Sequence, residues 1–161
     1  GAAGGAAGDV VVLALNTLGT FGMDPGQLLP FVRDCVVGFL GDGSPAVRKE
    51  AALTCCRMLV LPGHALPVNG PSARVTEEVL CRLLHVAVSD PDPGVRQTLL
   101  QALDRRFDRF LCQAHHLQTL FLLMGDEDSA IRLDALTMLG RLAALNPAHL
   151  LPPLRQTLIQ V

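Results

Sequence analysis

The sequence predicts an all-α fold, an α-solenoid of about three stacked helical hairpins with one further helix at each end, and three observations point there. A short string recurs: "DGSPAVRKEA" at 42–51 returns as "DPDPGVRQTL" at 90–99 and as "DEDSAIRLDA" at 126–135. Apolar residues on both sides of each string fall at three- and four-residue steps, the period of a helix with one buried face. Half of the 161 residues are apolar and only 17% are charged, which is enough to bury a core.

The recurrence sets the architecture. Aligned, the strings put Asp42, Asp90 and Asp126 in one column, Val47, Val95 and Ile131 in a second, and Arg48, Arg96 and Arg132 in a third. The arginines lie 48 and 36 residues apart. Turn residues at one fixed point and helical pattern elsewhere, at such a period, mark two-helix repeats of the HEAT or armadillo kind, roughly 40–47 residues each. The loop between repeats absorbs the unequal spacing.

In chain order, "GAAGGAAG" at 1–8 is low in complexity and is expected to be a disordered lead-in. Residues 9–22 read as the closing helix of an earlier repeat, and full repeats follow over about 24–61, 73–111 and 114–145. In the first, Leu28, Val32, Cys35, Val36, Phe39 and Leu40 step along one helix, and Val47, Ala51, Cys55, Met58 and Leu59 along the next. The second pairs helices over 73–88 and 94–111, the third over 114–124 and 130–145. "LLPFVR" at 28–33 returns as "LLPPLR" at 150–155, so 147–161 reads as the first helix of a further repeat, with Asn146 as N-cap before Pro147. Between the first two repeats, Pro62, Gly63, Pro67, Gly70 and Pro71 make 61–72 a flexible loop.

Within the recurring string each column has a task. The aspartate can accept from the free amides that open the second helix, Pro45 or Pro93 fixes φ in the turn, and the Val or Ile is the first residue to face the core. Stacking brings equivalent positions together. An arginine column beside an aspartate column therefore predicts a ladder of hydrogen-bonded ion pairs through Asp42, Arg48, Asp90, Arg96, Asp126 and Arg132, with the central Arg96 partnered on both sides.

Little else in the chain suggests chemistry. Thirteen basic against fifteen acidic residues give a net charge of −2, no field to draw nucleic acid or an anionic membrane. With no Trp or Tyr, base stacking would fall to Phe alone, and no apolar run reaches the ~20 residues a membrane span needs. Neither a nucleic-acid partner nor membrane insertion is expected. There is no phosphate-binding glycine loop, nucleophile elbow or kinase signature, so no catalytic or cofactor-binding residue and no cofactor is expected. Cys35, Cys55, Cys56, Cys81 and Cys112 sit in apolar stretches, as reduced and mostly buried thiols do. "CQAHH" at 112–116 has a C-x-x-H-H look, but no second Cys/His pair follows at a finger-like spacing. No metal is expected at Cys112, His115 or His116. "LDRRFDRF" at 103–110 reads as a solvated helix face that pairs with itself.

Several stretches, in order, carry a family resemblance: "LALNTLGTF", "FVRDC", "DPDPGVR", "LDRRFDRFLCQAHHLQTLF" and "GRLAALNPAHLLPPLRQTLIQ". From about Val10 to Val161 the chain resembles one segment of the N-terminal HEAT solenoid of the TOR (target of rapamycin) serine/threonine protein kinases. The resemblance implies a non-catalytic scaffold within a very large, growth-regulating kinase, far upstream of the catalytic domain. It implies protein partners: adaptor subunits such as Raptor, and the second kinase copy. It also implies a cytoplasmic setting, with the lysosomal membrane surface reached through the parent complex. No catalytic, ATP-binding or rapamycin-binding residue of that family falls in this segment. The residues themselves leave open an alternative, a HEAT scaffold of an unrelated transport or chromatin protein.

Overall fold

The computed structural model describes residues 2–20, 25–60, 66 and 69–159, with side chains for 6–20, 27–60, 66 and 69–156. Expectations for 21–24, for 61–65 and 67–68 of the loop, and for 160–161 lie outside the described residues. Among those described there are helices and turns and no strand.

Helix α1 spans Ala2–Leu18, so the stretch expected to be disordered is helical from residue 2. Alanines at 2, 3, 6 and 7 are the strongest helix formers and offset the three glycines among them. Gly8 also lies against the next repeat, where a Cβ would come 3.9 Å from Val47 Cγ2. The helix stops at Leu18. Gly19 lies against the Arg57 side chain, where a Cβ would come 2.9 Å from Nε and the flexible guanidinium would have to shift.

Helix α2, Pro25–Phe31, contains Pro30, which supplies no backbone donor. The backbone then widens into a π turn over Val32–Val36 and tightens to 3-10 over Val37–Gly41. That change of winding breaks the regular step expected from the sequence. Leu28, Val32, Val36 and Leu40 are buried, while Cys35 and Phe39 face solvent. Helix α3, Pro45–Leu59, has proline at its first turn and keeps its step: Val47, Ala51, Cys55, Met58 and Leu59 are all buried.

Helix α4, Pro71–Ser89, starts after Gly70, whose φ of 87° lies in the left-handed region that glycine tolerates. Helix α5 spans Pro93–Ala102, and not the 94–111 expected. Leu103 leaves helical geometry at ψ 72° and Asp104 is extended, its carboxylate accepting from the Arg106 amide. That local bond competes with the helix and starts a new turn, Arg105–Phe107, followed by α6, Asp108–Leu111. Helix α7, Ala114–Leu122, ends in a 3-10 turn, Leu123–Gly125. Helix α8, Ser129–Ala143, precedes α9, Pro147–Ile159, which runs through Pro152 and Pro153. The Asn146 side chain, expected to cap α9, reaches elsewhere: its amide donates to the Cys112 carbonyl, and its oxygen lies 3.1 Å from His149 Nδ1.

Helices α1, α3, α5 and α8 stack side by side in one layer, α2, α4 and α7 stack in a second, and α9 lies against α8. Each hairpin crosses between the layers. The core is the slab they enclose, where Leu28, Leu80, Leu83, Leu84, Leu99 and Leu120 are all but inaccessible. Burial of each such leucine contributes roughly 1.5–3 kcal/mol. Within the first layer polar bonds tie neighbours: Thr54 Oγ1 donates to the Leu15 carbonyl at 3.0 Å, and Gln101 Nε2 to Asp134 at 3.2 Å.

Candidate functional site

The three recurring turns lie in a row along one edge of the stack. In each, the aspartate carboxylate accepts from the amide two residues on: Asp42 from Ser44, Asp90 from Asp92, Asp126 from Asp128. The recurring aspartate thus closes the turn and does not cap the helix, as the sequence suggested it would. The caps fall two residues later, where Asp92 accepts from Val95 and Asp128 from Ala130.

The arginines join one turn to the next. Arg48 Nε and Nη2 grip both oxygens of Asp90, 42 residues on, at 2.7 and 2.8 Å, while Nη1 donates to the Asp42 carbonyl at 2.9 Å. Arg96 repeats this on Asp126 at 2.9 Å for both bonds, with Nη1 on the Asp90 carbonyl at 2.7 Å. Arg132 Nη1 bonds the Asp126 and Glu127 carbonyls. Each arginine therefore holds its own turn by the carbonyl, and Arg48 and Arg96 also take the next turn's carboxylate in the paired geometry that makes such bonds strong. The sequence singled out Arg96 as the one with partners on both sides. The structure gives Arg48 the same set.

These pairs are shielded. Arg96 and Asp126 expose 6% and 7% of their side chains, Arg48 and Asp90 10% and 3%. Burial works to raise the pKa of Asp90 and of Asp126, but the arginine guanidinium and the turn amide outweigh it and hold both carboxyls below the usual aspartate range. Both stay ionised far below neutrality.

A second arginine seals the break after α5. Arg141 of α8 donates to Asp108 Oδ1 at 2.9 Å and to the Leu103 carbonyl at 3.0 Å, the carbonyl left over where the helix stops. The stretch 103–110 is thus not all solvated. Arg106 pairs with Asp104 in the open, whereas Leu103, Phe107, Asp108 and Phe110 are buried.

The cysteines divide. Cys55 and Cys56 are buried, and burial pushes both thiols up, Cys56 to about 12. Cys35 and Cys81 are exposed, against expectation, and Cys112 is half-buried. Cys81 belongs to a group that the sequence does not bring together: Glu77 and Cys81 of α4 with His115 and His116 of α7. His115 is exposed and His116 is buried. Burial holds the His116 pKa below its usual value, against the pull of Glu77. Cys112 takes no part in this group, its thiol donating to the Arg109 carbonyl.

Stacked helical hairpins tied turn to turn by an arginine–aspartate seam define an α-solenoid segment. No family model matches the chain. It is TOR-related over nearly its whole length: it is 38% identical over 94% of its residues to Serine/threonine-protein kinase tor1 of Schizosaccharomyces pombe. It is 40% identical over 94% to Serine/threonine-protein kinase TOR of Arabidopsis thaliana, and 38% over 96% to Serine/threonine-protein kinase mTor of Drosophila melanogaster. The chain spans about 6% of the length of each of these relatives. They do not favour the transport or chromatin alternative. No helix among the described residues is long and apolar enough to cross a membrane.

Proposed function

We propose that the chain serves as a non-catalytic scaffold, one HEAT-type block in the N-terminal solenoid of a TOR-type kinase, presenting helix surfaces to protein partners in the cytoplasm. The observation that carries this reading is the seam. Its rungs fix each hairpin on the next at the same turn, which is what a rigid, extended binding surface requires. Exposed apolar residues suit a contact role: Leu133 and Leu136 share a face of α8, with Leu122, Leu145 and Leu151 on the neighbouring elements. By resemblance, the partners are adaptor subunits of the Raptor kind and the second kinase copy, and the parent complex brings the block to the lysosomal surface. The test is Asp90→Ala in a full-length TOR-type kinase carrying this segment. Recovery of the adaptor should fall while phosphorylation of a short peptide by the kinase domain persists. Undiminished adaptor recovery from a kinase whose segment is shown to be loosened would defeat the scaffold reading.

A further inference from the structure

We propose that Glu77, Cys81, His115 and His116 form a zinc site that clamps α7 to α4. One ligand atom from each of the four, a carboxylate oxygen, the thiol sulfur and two imidazole nitrogens, all lie within 4.8 Å of one another. Glu77 and Cys81 are four residues apart on α4 and so project from one face of it. The histidines open α7. Two rigid helices thus supply two ligands each, and the mixed nitrogen, oxygen and sulfur set is what Zn²⁺ takes in four-coordinate sites.

A second observation points to a ligand. Glu77 Oε1 lies 2.5 Å from His115 Nε2 and 2.9 Å from His116 Nε2, and the two rings sit 4.0 Å apart. His115 makes the hydrogen bond to that oxygen. His116 Nε2, sealed from solvent, is close to it but off the line of a hydrogen bond and has no other partner. His116 is 1% exposed, and a buried ring nitrogen without a partner is costly. Protein groups alone leave it unsatisfied. Zinc would occupy the place where the four groups converge and accept the lone pair of His116. Tetrahedral ligands about 2.0–2.3 Å from zinc stand roughly 3.3–3.6 Å from each other. The carboxylate and imidazoles would draw apart by less than about 1 Å, and any pair as wide as the 4.8 Å limit would close by about 1.2 Å, shifts within side-chain reach. Cys81 is exposed on the rim of an open hollow lined by Arg74, Glu78 and Gln113, so an ion has a path in. On binding, the Cys81 thiol gives up its proton to solvent and its sulfur lone pair to the metal, with no redox change.

The experiment titrates the reduced, purified chain with ZnCl₂ by calorimetry and with CoCl₂ by absorption, beside Cys81→Ser, His115→Asn and Glu77→Gln. Cys81 and His115 are exposed, so their variants should keep the parent's far-ultraviolet circular dichroism. One equivalent of zinc should bind and raise the melting temperature. Cobalt should show the strong visible bands of a tetrahedral ion together with a thiolate charge-transfer band. That band should vanish in Cys81→Ser, and each variant should weaken zinc at least as much as the roughly 10–100-fold lost on removing a second-shell partner. Failure of the parent to bind zinc overturns the proposal. So does binding that Cys81→Ser and His115→Asn leave unchanged, which would place the ion on other histidines.

Discussion

Two seams hold this molecule's hairpins together, and they are built on opposite rules. Along the turn edge, the same three residue types recur, and Arg48 and Arg96 each meet a carboxylate one repeat away. Between α4 and α7, Glu77, Cys81, His115 and His116 meet once, with no echo among the described residues. The first seam closes its own hydrogen-bond account with protein groups alone, while the second leaves the His116 nitrogen open. Repetition yields structure that any block of the array can share, and a single unrepeated cluster is where a block can acquire a property of its own.

The sharpest way to break this comparison is at Asp90, which serves two rungs: its carboxylate takes Arg48 and its carbonyl takes Arg96. Asp90→Ala strands the Arg48 guanidinium without its counter-charge at a site that is 10% exposed. We expect a loss of about 3–5 kcal/mol in chemical denaturation, the range for breaking one side of a buried pair. A loss below about 1 kcal/mol would make the turn-edge seam decoration.

Arg48→Ala and Arg96→Ala come next, at about 2–4 kcal/mol each, slightly reduced because the seam runs along an edge that water reaches. The two should agree within about 1 kcal/mol, because both take a bidentate carboxylate and their own turn's carbonyl and differ only in long contacts, Arg48 to the Gly43 carbonyl at 3.4 Å and Arg96 to exposed Glu127 at 3.5 Å. This departs from what the sequence implies, that the central arginine matters most. An effect confined to Arg96 would show that position in the array, and not bonding, sets the contribution.

How much of this was legible follows from the same contrast. The ladder could be read because stacked repeats turn a column in an alignment into a row in space, so Asp90 and Arg48 announce each other without any knowledge of the fold. Its details could not. Whether Asp90 caps a helix or closes a turn depends on a two-residue difference in where α5 begins, and periodicity does not resolve that. The break at Leu103 was hidden by a run with helical spacing, in which Asp104's bond to the Arg106 amide competes locally with the helix. The α4–α7 cluster was hidden by distance. Glu77 lies 38 residues before His115, and the partners of "CQAHH" are a glutamate and a cysteine on another helix, not a second Cys/His pair at finger-like spacing. The signal that could have found it was Glu77 and Cys81 at helical spacing on the first helix of one hairpin, with the paired histidines on the equivalent helix of the next.

Acid separates the seams further. The folded-state pKa values of Asp90 and Asp126 lie below the unfolded value, so the unfolded chain binds more protons as pH falls. Their stabilisation is complete above the unfolded aspartate value near about pH 4, and it is lost as pH drops through the lower folded values. Each group steepens the loss by at most about 1.4 kcal/mol per pH unit. Facing Asp126 are Arg96, Arg132 and the Asp128 amide, and facing Asp90 are Arg48, Arg96 and the Asp92 amide. Asp126→Asn should flatten the acid limb of the stability curve, measured by urea midpoints between about pH 2 and 5. An unchanged slope would mean that Asp126 titrates alike in both states.

The smallest effect belongs to Arg132, and it isolates what the carboxylate adds. Arg132 keeps the bond that Arg96 makes to its own turn, donating from Nη1 to the Asp126 carbonyl at 2.7 Å, and adds a second to the Glu127 carbonyl at 3.0 Å. Arg48 and Arg96 each grip a carboxylate as well, and Arg132 grips none among the described residues. It is also only half-buried. A guanidinium bonded to carbonyls near the surface contributes up to about 1 kcal/mol, so Arg132→Ala should fall well short of Arg96→Ala under the same denaturant. Because Arg132 has one turn carbonyl more than Arg96, the difference between the two variants is a lower bound on what the bidentate rung adds. Equal losses would place the seam's strength in the turn carbonyls, and each hairpin would be locked by its own arginine instead of by its neighbour.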